Sequence, residues 1–284
     1  MSQAEARGAA CAQIAALESV CERLAQPLLG QHLVWHRVGH GPPLVLLHGG
    51  HGCWLHWARV ISDLATSFSL WMPDMPGYGE STLTPTGGLD ELVAQLRQGL
   101  DALLGAHTPI LLAGFSFGGL VCAQLAAQRG HIERMVLLGP AGHGGRRRQS
   151  VSPLPWRDLD PDRDPGLWAE RMRYNLLAQM LHSEAAVDGL AMEIQWRGCL
   201  NTRFRSKPFS RSGALAPALD ACASPVLELW AEHDVTATPH EMGDRSARGG
   251  APRERVIVEG SGHWLMHERP ATSARLMKNG LGVD

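Results

Sequence analysis

The sequence predicts an α/β protein: a mostly parallel, doubly wound sheet with a helical cap inserted between two of its strands. Three observations carry this. Short, wholly apolar runs such as Pro43 to Leu47 and Ile110 to Ala113 read as strands buried on both faces, the mark of a parallel sheet. Segments of helical apolar spacing separate them, which gives the β-α-β-α alternation of such a sheet. That alternation stops at Gly139 and resumes only at Val226.

Taken in order, residues 9 to 25 place Ile14, Leu17, Val20, Cys21 and Leu24 at intervals of three and four before Pro27, the stripe of a buried helical face. An N-terminal helical extension over residues 1–30 is expected. Leu33 to Val38 and Pro43 to Leu47 follow as strands, then a helix from Trp54 to Thr66 and a strand from Phe68 to Met72. A loop rich in turn residues runs from Pro73 to Ser81. Leu92, Val93, Leu96, Leu100, Leu103 and Leu104 form the next helical stripe, Ile110 to Ala113 the next strand, and Gly114 to Gly119 joins it to a helix reaching Gln128. Ile132 to Leu138 closes the first half of a core assigned to residues 31–139 and 224–284. Residues 140–223 are rich in Pro, Arg and Trp, with helical segments at Leu167 to Leu181 and Glu184 to Gln195, and read as the cap. Strands at Val226 to Trp230 and Arg255 to Val258 and a helix from Pro270 to Asn279 complete the chain.

Composition bounds the function. The 284 residues suffice for one large α/β core with an insertion, and 44% hydrophobic against 19% charged residues is ordinary for a globular fold. A net charge of -2 offers no field to attract nucleic acid or an anionic membrane surface, so a small-molecule substrate is expected, with no nucleic-acid or membrane partner. Six scattered cysteines without a C-x-x-C pair indicate neither a zinc site nor a disulfide framework, and no metal or cofactor is expected. Reduced thiols, and an N-terminus without the apolar run of a signal peptide, point to the cytoplasm. Nothing here decides the oligomeric state, and a homodimer is compatible with it.

Gly114-Phe115-Ser116-Phe117-Gly118 matches the G-x-S-x-G elbow, directly after a buried strand and directly before a helix. Such a turn lifts a serine hydroxyl clear of the sheet and aims the helix N-terminus at the site of reaction. Serine is a weak nucleophile at neutral pH and needs a base, so one of the 14 histidines is required. His263 follows the last strand by a Gly260-Ser261-Gly262 turn, at the sheet edge where ligands bind. The acid that orients it is expected between Ser and His. Asp234 is there, with Glu232 as the competing carboxylate nearer the strand. Oxyanion donors are expected from the backbone N–H of Phe117 and of Gly50 in the His48-Gly49-Gly50 loop.

These segments resemble the α/β-hydrolase superfamily from about residue 31 onward: His48-Gly49-Gly50, Asp74 to Ser81, Gly114 to Gly119, Glu232-His233-Asp234 and Gly262-His263-Trp264. The resemblance implies a serine hydrolase with Ser116, Asp234 and His263 as the triad and the Asp74 loop as scaffold. Within the superfamily the chain is similar to capped carboxylesterases and hydrolases of aromatic meta-cleavage products. It departs from the latter at Phe115, where Asn is usual, and at Leu190, where a substrate-gripping Arg would stand; Arg171, Arg173 and Arg197 are the candidates to replace it. An ester substrate is the first expectation and carbon–carbon bond hydrolysis the second. His51, Trp156, Trp168, Trp196 and Trp264 are expected to line an apolar pocket, and Arg146-Arg147-Arg148 is either a solvated run or a carboxylate site at the pocket mouth.

Overall fold

The computed structural model describes residues 2–148, 151–241 and 252–283. Helix α1 (Gln3–Val20) opens the chain, its first turn closed by a capping box in which Ser2 and Glu5 each accept from the other's backbone N–H. Strands β1 (Glu22–Leu28), β2 (Gln31–Val38) and β3 (Pro43–Leu47) follow. The single helix expected over residues 9 to 25 is therefore divided. From Glu22 the chain pairs antiparallel with β2, and the N-terminal extension is helical only as far as Val20. Pro27 does not end a helix; it lies on an edge strand, where a sheet tolerates proline.

The helix expected from Trp54 to Thr66 is also broken, into a 3-10 turn (Trp54–Trp57) and the short α2 (Ile61–Leu64). Trp54, Leu55, Trp57, Val60 and Ile61 do not share one helical face, and two tight turns bury them all. Then come β4 (Ser69–Asp74), α3 (Leu89–Leu104), β5 (Ile110–Phe115), α4 (Phe117–Arg129) and β6 (Ile132–Leu138). Between β6 and β7 (Val226–Ala231) the chain leaves the sheet and forms α5 (Pro165–Gln179), α6 (Gly189–Leu200), α7 (Lys207–Ser210) and α8 (Leu215–Asp220). Strand β8 (Arg253–Val258), α9 (Leu265–Glu268) and α10 (Pro270–Gly280) finish it.

The described strands form one eight-stranded sheet in the order β1-β2-β4-β3-β5-β6-β7-β8, antiparallel across β1-β2 and β2-β4 and parallel from there on. Alternate residues of the same strands supply two cores. Leu44, Leu46, Leu111 and Ala113 face one side with α10 and the insertion helices α5 and α6; Val45, Leu47, Ile110 and Leu112 face the other with α3 and α4. Helix α8 packs on α4 and joins the second core through Leu215, Ala218 and Leu219, so the end of the insertion is built into the sheet layer.

Helix α1 crosses α6 and α5. A Cβ at Gly189 would lie 2.6 Å from the Ala6 carbonyl oxygen, so only glycine permits this approach. Beside it the buried Glu193 carboxylate accepts from Arg7 at 3.0 Å and Arg197 at 2.9 Å. All six cysteines are unpaired. Among the described residues no helix is long and apolar enough to cross a membrane.

Candidate active site

Ser116 stands between β5 and α4 with φ 54° and ψ -116°, a left-handed conformation rare for a residue with a side chain. Its backbone is fixed from the neighbouring strand: its N–H donates to Leu138 O at 2.8 Å, and its carbonyl accepts from Ala141 N at 2.8 Å. The turn is tight enough that a Cβ at Gly118 would fall on the Leu47 and His48 carbonyl oxygens. The Ser116 Oγ is 2.9 Å from His263 Nε2, and His263 Nδ1 is 2.8 Å from Asp234 Oδ2. Because a carboxylate only accepts, Nδ1 carries the ring proton, and the bare Nε2 accepts from the serine hydroxyl.

Asp234 is fully buried. Burial alone would raise its carboxyl, but electrostatic attraction and a hydrogen bond from the His263 ring, with hydrogen bonds from Thr236, outweigh it and hold the group below its usual value. The Thr236 N–H donates to Oδ1 at 2.7 Å. Glu232, the rival carboxylate, accepts instead from Gly260 N at 2.8 Å, with the His233 ring 3.5 Å away. Gly139, at the end of β6, lies under the pair: a Cβ there would be 3.0 Å from Asp234 Oδ2 and 3.1 Å from the His263 ring.

The loop carrying His263 is held by groups that the sequence pattern did not single out. Glu268, one turn further on, accepts from Gly262 N at 2.5 Å and, across the gap to the insertion, from Ser183 N at 2.8 Å and His182 N at 3.1 Å. Trp264 N donates to Met180 O at 2.7 Å. No spacing rule marks Glu268; its partners are backbone amides brought together only by the fold.

On the other side of Ser116, the Phe117 N–H is the first of α4, where a helix has no acceptor for it. The Gly50 loop is clamped by two neutral imidazoles. His48 donates from Nδ1 to Gly49 O at 2.8 Å and accepts Met75 N at Nε2, while His56 Nδ1 accepts Gly49 N at 3.1 Å. Burial lowers both rings, His48 to about 4, so neither is charged at neutral pH. Behind them Asp74 accepts from Trp54 N at 2.9 Å and Glu80 N at 2.8 Å.

Gly50, Ser116 and His263 line one cavity of about 490 Å³. Its lining mixes apolar, neutral polar and cationic side chains, Asn175, Gln179 and Gln195 among the polar ones. Trp156, Met172, Met180 and Cys199 come from α5, α6 and the segment before them; Arg147, Lys207 and Arg211 come from the loop after β6 and from α7 and its end. Of the aromatic residues expected here, His51 and Trp156 line the cavity and three do not. Trp168 and Trp264 are fully buried, Trp168 beneath Arg7 and Trp264 donating its indole N–H to His56 O at 2.9 Å; Trp196 packs edge-on behind Trp156. Indole surface is worth most when wholly desolvated, and these three are spent on packing. Nor does an arginine replace Leu190: Arg171 donates to Pro155 O, Arg173 pairs with Glu184 and Arg197 with Glu193. Arg148 donates to Glu232 O at 2.5 Å, leaving Arg147 as the member of its run that reaches the cavity.

Known proteins resemble this chain in sequence and fold. Residues 42–270 match the family described as alpha/beta hydrolase fold. The pimeloyl-[acyl-carrier protein] methyl ester esterase of Vibrio atlanticus is 30% identical over 130 residues, 46% of this chain and 47% of that protein, so the chain spans about half the length of the first curated relatives it matches. The 2-hydroxy-6-oxo-2,4-heptadienoate hydrolase of Pseudomonas putida is 38% identical over 114 residues, 38% of this chain and 40% of that one. Among solved structures, a bacterial membrane phospholipase A superposes with a TM-score of 0.76 at 21% identity, over 97% of this chain and 91% of that one, a likeness of fold. The chain belongs to the alpha/beta hydrolase fold family.

Proposed function

We propose that this hydrolase cleaves carboxylic esters through an acyl-enzyme on Ser116. The observation that carries the reading is the relay from Ser116 Oγ to His263 Nε2 and from Nδ1 to Asp234, opening into a cavity. Ser116 Oγ attacks the carbonyl carbon as its proton passes to Nε2, and the resulting imidazolium is steadied by the buried Asp234 carboxylate. The carbonyl oxygen, now negative, rests on the Phe117 and Gly50 amides, each such donor being worth about 3 kcal/mol. The imidazolium then protonates the departing alkoxide, the ester C–O bond breaks, and the alcohol leaves. Water, deprotonated by Nε2, attacks the acyl-enzyme and releases the acid and the free serine. The insertion is read as the cap over this site, with Met172, Met180 and Trp156 receiving the apolar part of the substrate.

The test is covalent. A fluorophosphonate should label the chain stoichiometrically at Ser116, and Ser116→Ala should lose both labelling and turnover of 4-nitrophenyl esters; an active Ser116→Ala variant would refute the mechanism. The second reading, carbon–carbon bond hydrolysis of a vinylogous diketone, draws on the likeness to the heptadienoate hydrolase. Faster turnover of a coloured meta-cleavage product than of 4-nitrophenyl esters would favour it.

A further inference from the structure

The cavity beside Ser116 carries positive charge as well as apolar and neutral polar surface. Arg147, Lys207 and Arg211 line it together, and no Asp or Glu is among the described lining residues. Elsewhere ten arginines pair with carboxylates, while others, such as Arg171 and Arg203, donate to backbone carbonyls; what sets the cavity apart is that three cations share one space. Among the described residues Lys207 and Arg211 have no such partner, and the hydrogen bond found for Arg147 is a long one, 3.5 Å to the Ser210 carbonyl. Arg147 is half-buried, and burial and the Arg211 charge both disfavour its charged form, with Asp234 offsetting part. Two exposed cations and one half-buried one thus converge on the same space in a chain whose net charge is -2. Like charges gathered without counter-charge are unfavourable by themselves, and an anion in the cavity removes that cost.

We propose that the substrate is an ester bearing an oxyanion, a carboxylate or a phosphate, away from the scissile bond: its apolar part lies against Met172, Met180 and Trp156, and Arg147, Lys207 and Arg211 hold the charged group. This inference rests on the esterase reading and names its substrate class. The guanidinium fork accepts the planar carboxylate and the tetrahedral phosphate alike, while Lys207 acts as a point charge. Both exposed cations are open to screening, so the selectivity falls as salt rises.

The experiment compares matched pairs on the whole chain: 4-nitrophenyl hemiadipate against 4-nitrophenyl hexanoate for a carboxylate, and 1-hexanoylglycerol 3-phosphate against 1-hexanoylglycerol for a phosphate. The charged member of one pair should be favoured at least tenfold in kcat/KM at low salt, and the pair with the larger ratio assigns the anion. Arg147→Gln, Lys207→Gln and Arg211→Gln should each lower that ratio, and the triple variant should bring it near one, whereas Arg275→Gln on the exposed face of α10 should not change it. Ratios near one in both pairs for the unaltered chain, or a ratio indifferent to the triple variant, overturn the proposal. Calorimetry with the non-hydrolysed N-(4-nitrophenyl)adipamic acid and N-(4-nitrophenyl)hexanamide separates the two readings. Selective binding of the acid without turnover of any ester refutes the esterase and keeps the anion site; turnover without selectivity does the reverse.

Discussion

Glu268→Ala should uncouple the His263 loop from the insertion. The carboxylate accepts three backbone N–H groups, from Gly262 at 2.5 Å, Ser183 at 2.8 Å and His182 at 3.1 Å. Gly262 is buried, so its orphaned amide costs about 1 to 3 kcal/mol, whereas the His182 and Ser183 amides are nearer solvent and are largely rehydrated, at about 0.5 kcal/mol each. The expected loss is about 2 to 4 kcal/mol, a fall of about 1 M in the urea midpoint for a chain with a slope near 3 kcal/mol per M. Turnover should fall more than this stability loss implies, by about 10- to 100-fold at temperatures where the variant is fully folded, because His263 follows Gly262 directly and small misplacements of a base are expensive. Glu268→Gln keeps one oxygen and the shape of the side chain, and should recover part of both effects. A urea midpoint within 0.2 M of the parent for Glu268→Ala, together with unchanged kcat, would show that the three amides do not position the loop.

Four other outcomes follow from the same structure. Gly118→Ala drives a methyl into the Leu47 and His48 carbonyl oxygens, neither of which can rotate away, and should cost about 3 kcal/mol or more in urea unfolding. In Gly50→Ala the new Cβ meets Ser206 Oγ at 2.5 Å, a movable atom; stability should change little while kcat for esters drops about tenfold as the amide is displaced. Burial would raise Asp188, but the His267 ring 3.6 Å away, the Ala191 N–H bond and the Arg59 charge bring it down to about 2. A carboxyl depressed in the folded state contributes stability that is complete above about pH 4 and lost as pH falls toward 2; with a side chain 39% exposed, that is about 1 kcal/mol after screening, seen as a shallower acid limb for Asp188→Asn between pH 5 and pH 2.5. Glu193→Ala leaves Arg7 and Arg197 without their buried partner and should cost about 3 kcal/mol, read as faster proteolytic cutting around α1 and α6.

What the sequence disclosed follows from the range of the interactions involved. Strands β3, β5 and β7 were legible because they are buried on both faces and therefore nearly unbroken in hydrophobicity. Ser116 and His263 were legible because each sits in a glycine-flanked turn at a strand end. The division of residues 9 to 25 was not, since Cys21 and Leu24 satisfy a helical stripe as well as an edge strand, and only pairing with β2 decides between them. The tryptophans showed the same limit: composition says that Trp168, Trp196 and Trp264 are apolar surface, but not whether that surface faces a ligand or a neighbour. Gly139 and Glu268 act on groups far along the chain, Asp234 and His263 for one and the Ser183 amide for the other, which no local pattern records. The cationic wall escaped because Lys207 and Arg211 lie in a part of the insertion with no strong periodicity, far along the chain from Arg147.

Helix α1 runs straight into β1, the outermost strand of the sheet, after crossing α6 at the Gly189 contact. Helices α5 and α6, which line the cavity, are thus tied to the sheet from two directions, by the insertion's own ends and by a separate length of chain anchored at the far edge of the sheet. Raising α5 and α6 like a hinged flap would break the Glu193 pairs and pull on that outer strand. The cationic side chains stand on another flank, formed by residues 142–148 and the four-residue α7. On the proposed ester and anion-site reading, a substrate passing that flank would be sorted by charge before Ser116 meets its carbonyl.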